Sequence, residues 1–408
     1  MSSTELAAAR TGWPLGGAPA DYVLGHVRAV RPGAVIDDAR VVVRSGQIAA
    51  VEPHPPGSAA DVDGAGLICV PGLIDVHSDA LERERAPRPS AFLPWDFALV
   101  SLEGKVLGAG VTTVFHGAGF AQKTSGTYQR STSAAAELCA VVTERRALGR
   151  ALVDHRVLYR LDARSAEGAA ALATHLAAAA GTPLVSHEDH TPGQGQYADR
   201  RHMERYLAGA DGLTPEQARQ RVDGLIAERE QYLPVLERNL AWLGELARAG
   251  RIRLVGHDPD SPEAVRARQA RGGAVAEFPT TLATAQAARE LGFPVVMGAP
   301  NVLRGLSHSG NVSARELIGR GLVTALASDY LPSALLAAAF FAAGSGLLPL
   351  PAAISLVTAG PAAVAGLTDR GRLEPGLRAD LVLVDPGPHW PVTRAVLASA
   401  RRRRGPAG

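Results

Sequence analysis

The chain has 408 residues, of which 46% are hydrophobic and 20% charged, so it can bury a large core and is neither disordered nor fibrous. Its formal net charge of +2 favours neither nucleic acid nor an acidic membrane as a partner. Its longest apolar stretch is shorter than about 18 residues, and Cys69 and Cys139 lack the spacing of a disulfide framework or zinc knuckle. These features predict a cytoplasmic protein and leave open whether it forms a homo-oligomer.

Short alternating segments lie near both ends of the chain. Residues 22 to 53 contain YVLGHVRAV, ARVVVR and QIAAVEP, with a Ser-Gly pair at 45 and 46, a pattern that predicts a small sheet with tight turns. The segment RGRLEPGLRADLVLVDP near the C-terminus has the same character. We therefore expect residues 1–68 and 366–408 to pack together as one small β-sandwich domain.

The middle of the chain, residues 69–365, alternates short apolar runs with helical stretches. This order predicts a TIM-like (β/α)₈ barrel, with a doubly wound open sheet as the alternative. The predicted strands are 73–77, 111–115, 157–162, 183–187, 252–257, 274–278, 294–298 and 323–328.

An insertion is predicted over the mouth of the barrel, between the fourth and fifth strands. Thr214, Pro215 and Gln217 form the pattern of an N-cap, an N1 proline and a capping-box partner, and Gly250 is placed to end the helix. The sequence thus predicts one long helix between Thr214 and Gly250. With residues 191–212 it would cover the barrel mouth.

Side chains that bind metals follow several of the predicted strands. His77 and Asp79 are two residues apart, so in an extended segment they point to the same side. His190, His257 and Asp329 come at or just after three other strands. One histidine at a strand end is commonly just hydrogen-bonded, and one aspartate is commonly a helix cap. Their joint occurrence at the mouth of a parallel barrel predicts a divalent-metal site.

Longer motifs carry a resemblance to a known family. PGLIDVHSD, a later HD pair and a final SDY resemble the amidohydrolase superfamily of metal-dependent hydrolases, which combine a barrel with a β domain built from both chain ends. The strings HSDALER, DHTPGQ, AEFPTT, GAPN and SHSGN more closely resemble the α-D-ribose 1-methylphosphonate 5-triphosphate diphosphatases of bacterial phosphonate metabolism, which release pyrophosphate. The resemblance runs from about residue 66 to about residue 375.

The resemblance implies one or two divalent ions, with zinc favoured and manganese or iron as alternatives. The implied ligands are His77, Asp79, Asp162, His190, His257 and Asp329. Many amidohydrolases bridge two metals with a carboxylated lysine. The two lysines of this chain, Lys105 and Lys123, lie before and shortly after the second predicted strand, away from the bridging position. In the family that this chain resembles, a bridging glutamate aligns with Asp162, so the resemblance implies a carboxylate bridge from Asp162. Because aspartate is one methylene shorter than glutamate, a single bound ion is kept as the alternative to two.

The resemblance also implies catalytic and substrate-binding roles. Asp329 would take a proton from metal-activated water, and His257 would bind the metal while Asp258 or Asp260 holds its second nitrogen. The loop through His308 and Asn311 leads into a predicted capping box at Ser313 and Glu316, and its amides could hold phosphate. The residues expected to contact a small phosphorylated substrate are Arg88, Asp189, Gln194, Glu277, Asn301, Arg304, His308 and Asn311.

Several residues at the expected mouth differ from the diphosphatase pattern. Ala80 replaces asparagine, Glu84 replaces histidine, His116 and Gly117 replace an aspartate and an alanine, and Gly256 replaces serine. The scaffold and metal site could therefore serve another substrate. We keep as alternatives an amidohydrolase that cleaves a carbon–nitrogen bond in a small cyclic amide or amine, and a binding or regulatory protein with a degraded site.

Overall fold

A computed structural model describes residues 13, 15–121, 130–307 and 309–399 of the chain. Its strands, in chain order, are β1 (Gly17–Ala18), β2 (Tyr22–Arg31), β3 (Ala34–Arg44), β4 (Gln47–Pro53), β5 (Val62–Asp63), β6 (Ile68–Pro71), β7 (Leu73–Ser78), β8 (Val111–Phe120), β9 (Asp154–Asp162), β10 (Leu184–Glu188), β11 (Arg253–His257), β12 (Val275–Glu277), β13 (Val295–Gly298), β14 (Ala325–Ala327), β15 (Leu381–Asp385) and β16 (Val392–Ser399).

Helices alternate with the central strands. They are α1 (Ala80–Arg85), α2 (Trp95–Gly108), α3 (Thr132–Ala147), α4 (Ala166–Ala178), α5 (Arg201–Asp211), α6 (Pro215–Glu230), α7 (Leu233–Arg248), α8 (Pro262–Ala270), α9 (Leu282–Glu290), α10 (Ala299–Arg304), α11 (Ala314–Gly319), α12 (Ala334–Gly344), α13 (Leu350–Ser355) and α14 (Ala359–Val364). Within the described residues, no helix combines the length and the apolar character needed to cross a lipid bilayer.

Strands β7 to β14 form an eight-stranded sheet in which each strand pairs in parallel with the next along the chain. A parallel bridge between Ser78 and Asp329 joins the first strand to the segment after the last and closes the barrel. The barrel prediction is confirmed, and each of the eight predicted runs overlaps one strand. His190 follows the fourth barrel strand and His257 ends the fifth, in agreement with the strand count from the sequence.

Two apolar layers hold the barrel together. Residues such as Ile74, Phe115, Leu158 and Val296 form one buried cluster from the strands. A second, larger cluster contains residues of the strands and of the helices around them. Because the interior is filled by side chains, only the end of the barrel is available for a site, and in a parallel barrel that end is where the strand C-termini meet.

The small domain contains strands from both ends of the chain, as predicted. Its sheet has the order β1-β16-β15-β6-β2-β3-β4, with β5 paired to β2. A bridge between Gln47 and Arg378 brings the far strand β4 back to the C-terminal segment, around a core that includes Tyr22, Val41 and Leu381. The predicted turn at Ser45 and Gly46 is present, and both residues have the positive φ of a type I′ hairpin.

The insertion differs from its prediction. The capping box at Thr214 and Gln217 is confirmed, and Gly250 has a positive φ just beyond the last turn. The prediction of one continuous helix is wrong, because α6 ends at Glu230 and α7 begins at Leu233. Pro234 explains the break, since its nitrogen has no hydrogen to donate to the carbonyl of residue 230 four positions earlier.

Candidate metal centre at the barrel mouth

Glu277 at the end of β12 organises the floor of the mouth. One of its oxygens lies 2.8 Å from Nδ1 of His77, and the other lies 2.7 Å from Nδ1 of His257. A carboxylate accepts hydrogen bonds, so both Nδ1 atoms carry a hydrogen, and each ring would bind a metal through the lone pair of its Nε2. Burial disfavours the charge on Glu277, but the two histidines outweigh that cost and hold its pKa well below its usual range. Glu277 therefore orients two histidines for metal binding.

Three residues that follow barrel strands have a backbone conformation that L-residues rarely adopt. Asp258 has φ +47°, Phe278 has φ +53° and Asp329 has φ +56°. Aspartate tolerates this region better than phenylalanine does, so Phe278 is the most unusual of the three. Its ring contacts both His77 and His257, with centroids 5.1 Å and 5.5 Å apart. Such strain is concentrated at functional sites, and here it aims strand-end side chains into the mouth.

The ends of β10 and β11 bring together Glu188, His190 and His257. Each offers a ligand atom, and the three atoms lie within 4.8 Å of one another. Nε2 of His190 and Oδ2 of Asp258 are buried without a hydrogen-bond partner and lie 3.7 Å apart. Buried polar atoms are rarely left unpaired, and a divalent cation would satisfy an imidazole nitrogen and a carboxylate oxygen together. The residues present thus fit a metal ion at this position.

His77, Asp79 and Asp329 form a second group, on the side of the mouth where the barrel closes. Their potential ligand atoms also lie within 4.8 Å of one another. The N–H of Asp329 donates to the His77 carbonyl, and the Asp329 carbonyl accepts a hydrogen bond from the N–H of Asp79. These backbone hydrogen bonds fix the three residues relative to each other. Burial and the nearby charge of Asp79 raise the pKa of Asp329 above that of an ordinary aspartate. Asp329 therefore stays beside His77 and Asp79 at the mouth, and its carboxylate is more basic than that of an ordinary aspartate.

The structure does not place Asp162 with either group. Its two oxygens accept hydrogen bonds of 2.8 Å and 3.0 Å from Arg229 of the insertion helix α6. Glu188 is its register partner on the neighbouring strand, and Glu188 is the carboxylate that lies with His190 and His257. Among the described residues it is therefore Glu188, and not Asp162, that lies with the predicted ligands His190 and His257. Likewise Glu277, rather than Asp258 or Asp260, holds Nδ1 of His257.

Most of the other predicted residues lie around a cleft of about 470 Å³ above this floor. Its lining includes Asn301, Arg304 and Asn311 as well as His77, Asp79, His190, His257 and Asp329. Asp189 and Gln194 line an adjoining cavity of about 190 Å³, where Asp189 is bound by Arg164 and Arg229. Arg88 is exposed and outside the lining of both cavities, and His308 lies outside the described residues.

The helix after the glycine-rich loop is capped differently from the prediction. The Ser313 hydroxyl donates to the carbonyl of Gly305 rather than accepting a hydrogen bond from its own helix. Oδ1 of Asn301 accepts from the N–H of Ala314 instead. Asn301 therefore shapes the wall of the cleft, and the predicted capping box at Ser313 is wrong. Glu277 is buried, is bonded to two histidines and lies outside the lining of the cleft.

The sequence did not single out Glu188, Arg130 or Arg160. Arg160 points inward from β9, and Arg130 follows the second barrel strand; both are bound to Asp79. The motif VSHEDH contains five polar residues in succession, and pleat alternation alone cannot tell which of them points into the barrel. For Arg160 a weak signal was available, since an arginine within the run VLYRL of β9 requires a buried acid.

The Glu277→Gln variant is expected to bind metal about 10- to 100-fold more weakly, because one anionic acceptor orients both histidines. Competition with a chromophoric chelator would measure this loss. Glu103→Gln is a matched control, since Glu103 is also a buried carboxylate bonded to a histidine, His155, but lies on the outer helix α2. Equal loss of metal in both variants would contradict the role assigned to Glu277.

Comparisons with known proteins agree with this site. Residues 107–401 match the amidohydrolase family. Alpha-D-ribose 1-methylphosphonate 5-triphosphate diphosphatase from Escherichia coli (strain K12) is 34% identical over 368 residues, which cover 88% of this chain and 94% of that protein. Both the share of the chain matched and the level of identity are high enough to establish the family.

Solved structures agree on the fold. N-acetyl-D-glucosamine-6-phosphate deacetylase from Mycobacterium smegmatis has a TM-score of 0.60 at 17% identity, covering 93% of this chain and 99% of that one. Guanine deaminase from C. acetobutylicum has a TM-score of 0.56 at 12% identity, covering 90% and 91%. At these identities the likeness concerns the architecture alone. Together with the sequence matches, it leads to one conclusion: the chain belongs to the amidohydrolase family and is a hydrolase.

Proposed function

We propose that this hydrolase uses a divalent metal to split α-D-ribose 1-methylphosphonate 5-triphosphate into the 5-phosphate and pyrophosphate. The observation that carries the proposal is the cleft itself: a floor of histidines and carboxylates faces a wall of cationic and hydroxyl groups. The similarity to the E. coli diphosphatase over 88% of this chain supports the choice of substrate.

The wall of the cleft suits an anionic chain of phosphates. Arg304 at the end of α10 and Asn311 on the following loop both line it. The Ser309 hydroxyl lines it as well and is buried without a hydrogen-bond partner. Arg83 also lines the cleft, and its guanidinium lies 4.9 Å from the centre of the Tyr330 ring. Arginine forks and unpaired hydroxyls are the groups that bind phosphate oxygens, so the triphosphate arm would lie along this wall.

The residues of the floor divide the chemistry between them. A divalent ion held by Glu188, His190 and His257 would lower the pKa of a water molecule and offset charge on a phosphate oxygen. Asp329 accepts a proton from the attacking water, whose oxygen forms the new bond to phosphorus. The electron pair of the broken anhydride bond leaves on the pyrophosphate oxygen. His77 and Glu277 hold the geometry through the hydrogen bond between them.

The decisive test is incubation of the metal-loaded protein with this triphosphate, followed by ³¹P NMR. Pyrophosphate and the 5-phosphate should appear in equal amounts, with no intermediate loss of single phosphates. If the triphosphate is left intact while a cyclic amide or amine is opened with release of ammonia or a carboxylate, the diphosphatase proposal is wrong and the carbon–nitrogen hydrolase is correct. A protein that binds metal and turns over neither class would instead support a binding role.

Arg304→Met should reduce kcat/KM for the triphosphate by about 10- to 100-fold, mainly through KM, because one charge-assisted contact of about 1.5–3 kcal/mol is lost. Steady-state pyrophosphate release would measure the change. Arg88→Met is the matched control, since Arg88 is exposed outside the cleft and its removal should leave kcat/KM within about twofold. An unchanged KM in Arg304→Met would place the phosphates elsewhere.

A further inference from the structure

Arg160 lies between two carboxylates of the site, on the inner side of strand β9. Its Nη1 lies 2.7 Å and 2.8 Å from the two oxygens of Asp79, at the end of the first barrel strand. Its Nε and Nη2 lie 3.1 Å and 2.7 Å from Oε2 of Glu188, at the end of the fourth. The Arg160 side chain is 4% exposed, so this guanidinium is a permanent cation inside the barrel.

The backbone nearby is shaped to admit this side chain. A Cβ atom added at Gly117 of β8 would lie 2.6 Å from Oδ1 of Asp79 and 3.1 Å from Cδ of Arg160. Any larger residue at position 117 would push against the ion pair. Arg130 adds a second guanidinium on the same side, 2.9 Å from Oδ2 of Asp79. Asp79 is thus bound by two arginines that arrive from different parts of the barrel.

The two groups of potential ligands therefore differ in charge. In the group of His77, Asp79 and Asp329, the Asp79 carboxylate is already neutralised by arginines. In the group of Glu188, His190 and His257, His190 Nε2 and the nearby Asp258 Oδ2 have no hydrogen-bond partner; they lie 3.7 Å apart, and Asp258 Oδ2 lies 3.3 Å from Nε2 of His257. Among the described residues, the buried unpartnered side-chain atoms include none from His77, Asp79 or Asp329. A bound cation is therefore needed less in the group of His77, Asp79 and Asp329 than in the group of Glu188, His190 and His257.

We propose that the centre holds one divalent ion, on the side of Glu188, His190 and His257, and that the Arg160 guanidinium takes the place of a second ion between Asp79 and Glu188. This inference rests on the metal-dependent function proposed above. It assigns Arg160 as the residue that sets the metal count. A divalent ion beside Asp79 would have to displace Arg160 or share a carboxylate with two guanidinium groups, which like-charge repulsion opposes.

The experiment is a metal count on the whole protein, loaded with excess Zn²⁺ or Mn²⁺, desalted and analysed by mass spectrometry. One ion per chain is expected, and the Mn²⁺ form should show the electron paramagnetic resonance of an isolated ion. Two ions per chain, or the spectrum of an exchange-coupled pair, would overturn the inference. No bound ion at all would instead remove the metal-dependent function, so the two failures are distinguishable.

Variants of Arg160 test the cause. Arg160→Met should raise the count towards two ions at excess metal, whereas Arg160→Lys, which keeps the charge, should stay at one. A folded Arg160→Met protein that still binds one ion would refute the role given to Arg160. If that variant does not fold, Asp79→Asn provides the check. It should keep one ion, because in this proposal Asp79 pairs with Arg160 and Arg130 and does not bind the metal. Loss of the ion from Asp79→Asn would contradict the proposal.

Discussion

Asp329→Asn is expected to lower turnover by about 10²- to 10⁴-fold, the range that a general base contributes. The amide cannot take a proton from water, while its size and its tolerance of positive φ match those of aspartate at φ +56°. The fold and the metal content should therefore stay as in the unchanged protein. Pyrophosphate release, thermal unfolding and metal analysis would measure the three quantities.

The pH profile adds a second readout for Asp329. The carboxylate accepts a proton only when ionised, so kcat/KM, which reports the free enzyme, should fall as the pH drops through its pKa. Because burial and Asp79 raise that pKa, the acid limb should lie above the pH at which an ordinary aspartate titrates. Asp329→Asn should abolish this limb in whatever activity is left. A variant that is as active as the parent, or keeps the same limb, would show that another residue is the base.

Glu188→Gln is expected to weaken metal binding by at least about 100-fold, the upper end of the cost of changing a supporting residue. The substitution removes an anionic ligand beside His190 and His257 and also one of the two counter-charges of Arg160. Activity should fall in parallel with metal content. Dialysis at defined free Zn²⁺, followed by metal analysis, would measure the affinity.

Asp162→Asn is the matched control, because Asp162 occupies the paired position on the adjacent strand. It should keep its metal, since the Asp162 oxygens accept hydrogen bonds from Arg229. The expected damage is a loosened insertion helix, seen as faster proteolysis near α6. The opposite pattern, with metal lost from Asp162→Asn and kept in Glu188→Gln, would restore Asp162 as the ligand and overturn the assignment.

Much of the site could be predicted because a parallel barrel places strand C-termini at one end. Apolar runs marked the eight strands, and the polar residues directly after them therefore converge. His77, His190, His257 and Asp329 are found together at the mouth for this reason. The family resemblance added the choice of chemistry, which strand periodicity alone does not contain.

The carboxylate that lies beside His190 and His257 could not be chosen from the sequence. Asp162 and Glu188 are opposite each other in the ladder, and both are acids at a strand end. What separates them is Arg229, which is 67 residues along the chain from Asp162 and reaches it from the insertion. Pairings at such separations follow from how the insertion packs on the barrel. Local residue patterns do not predict such pairings.

The sequence by itself determined the barrel, the small domain from both chain ends and most of the residues at the mouth, because these follow from periodicity and strand order. Only the tertiary structure decided which acid meets the histidines, that Glu277 orients two of them, and that Arg160 stands between Asp79 and Glu188. Those assignments depend on how side chains from different strands pair with one another in the same small buried space. Charge balance in that small buried volume, rather than any single segment, settles the outcome.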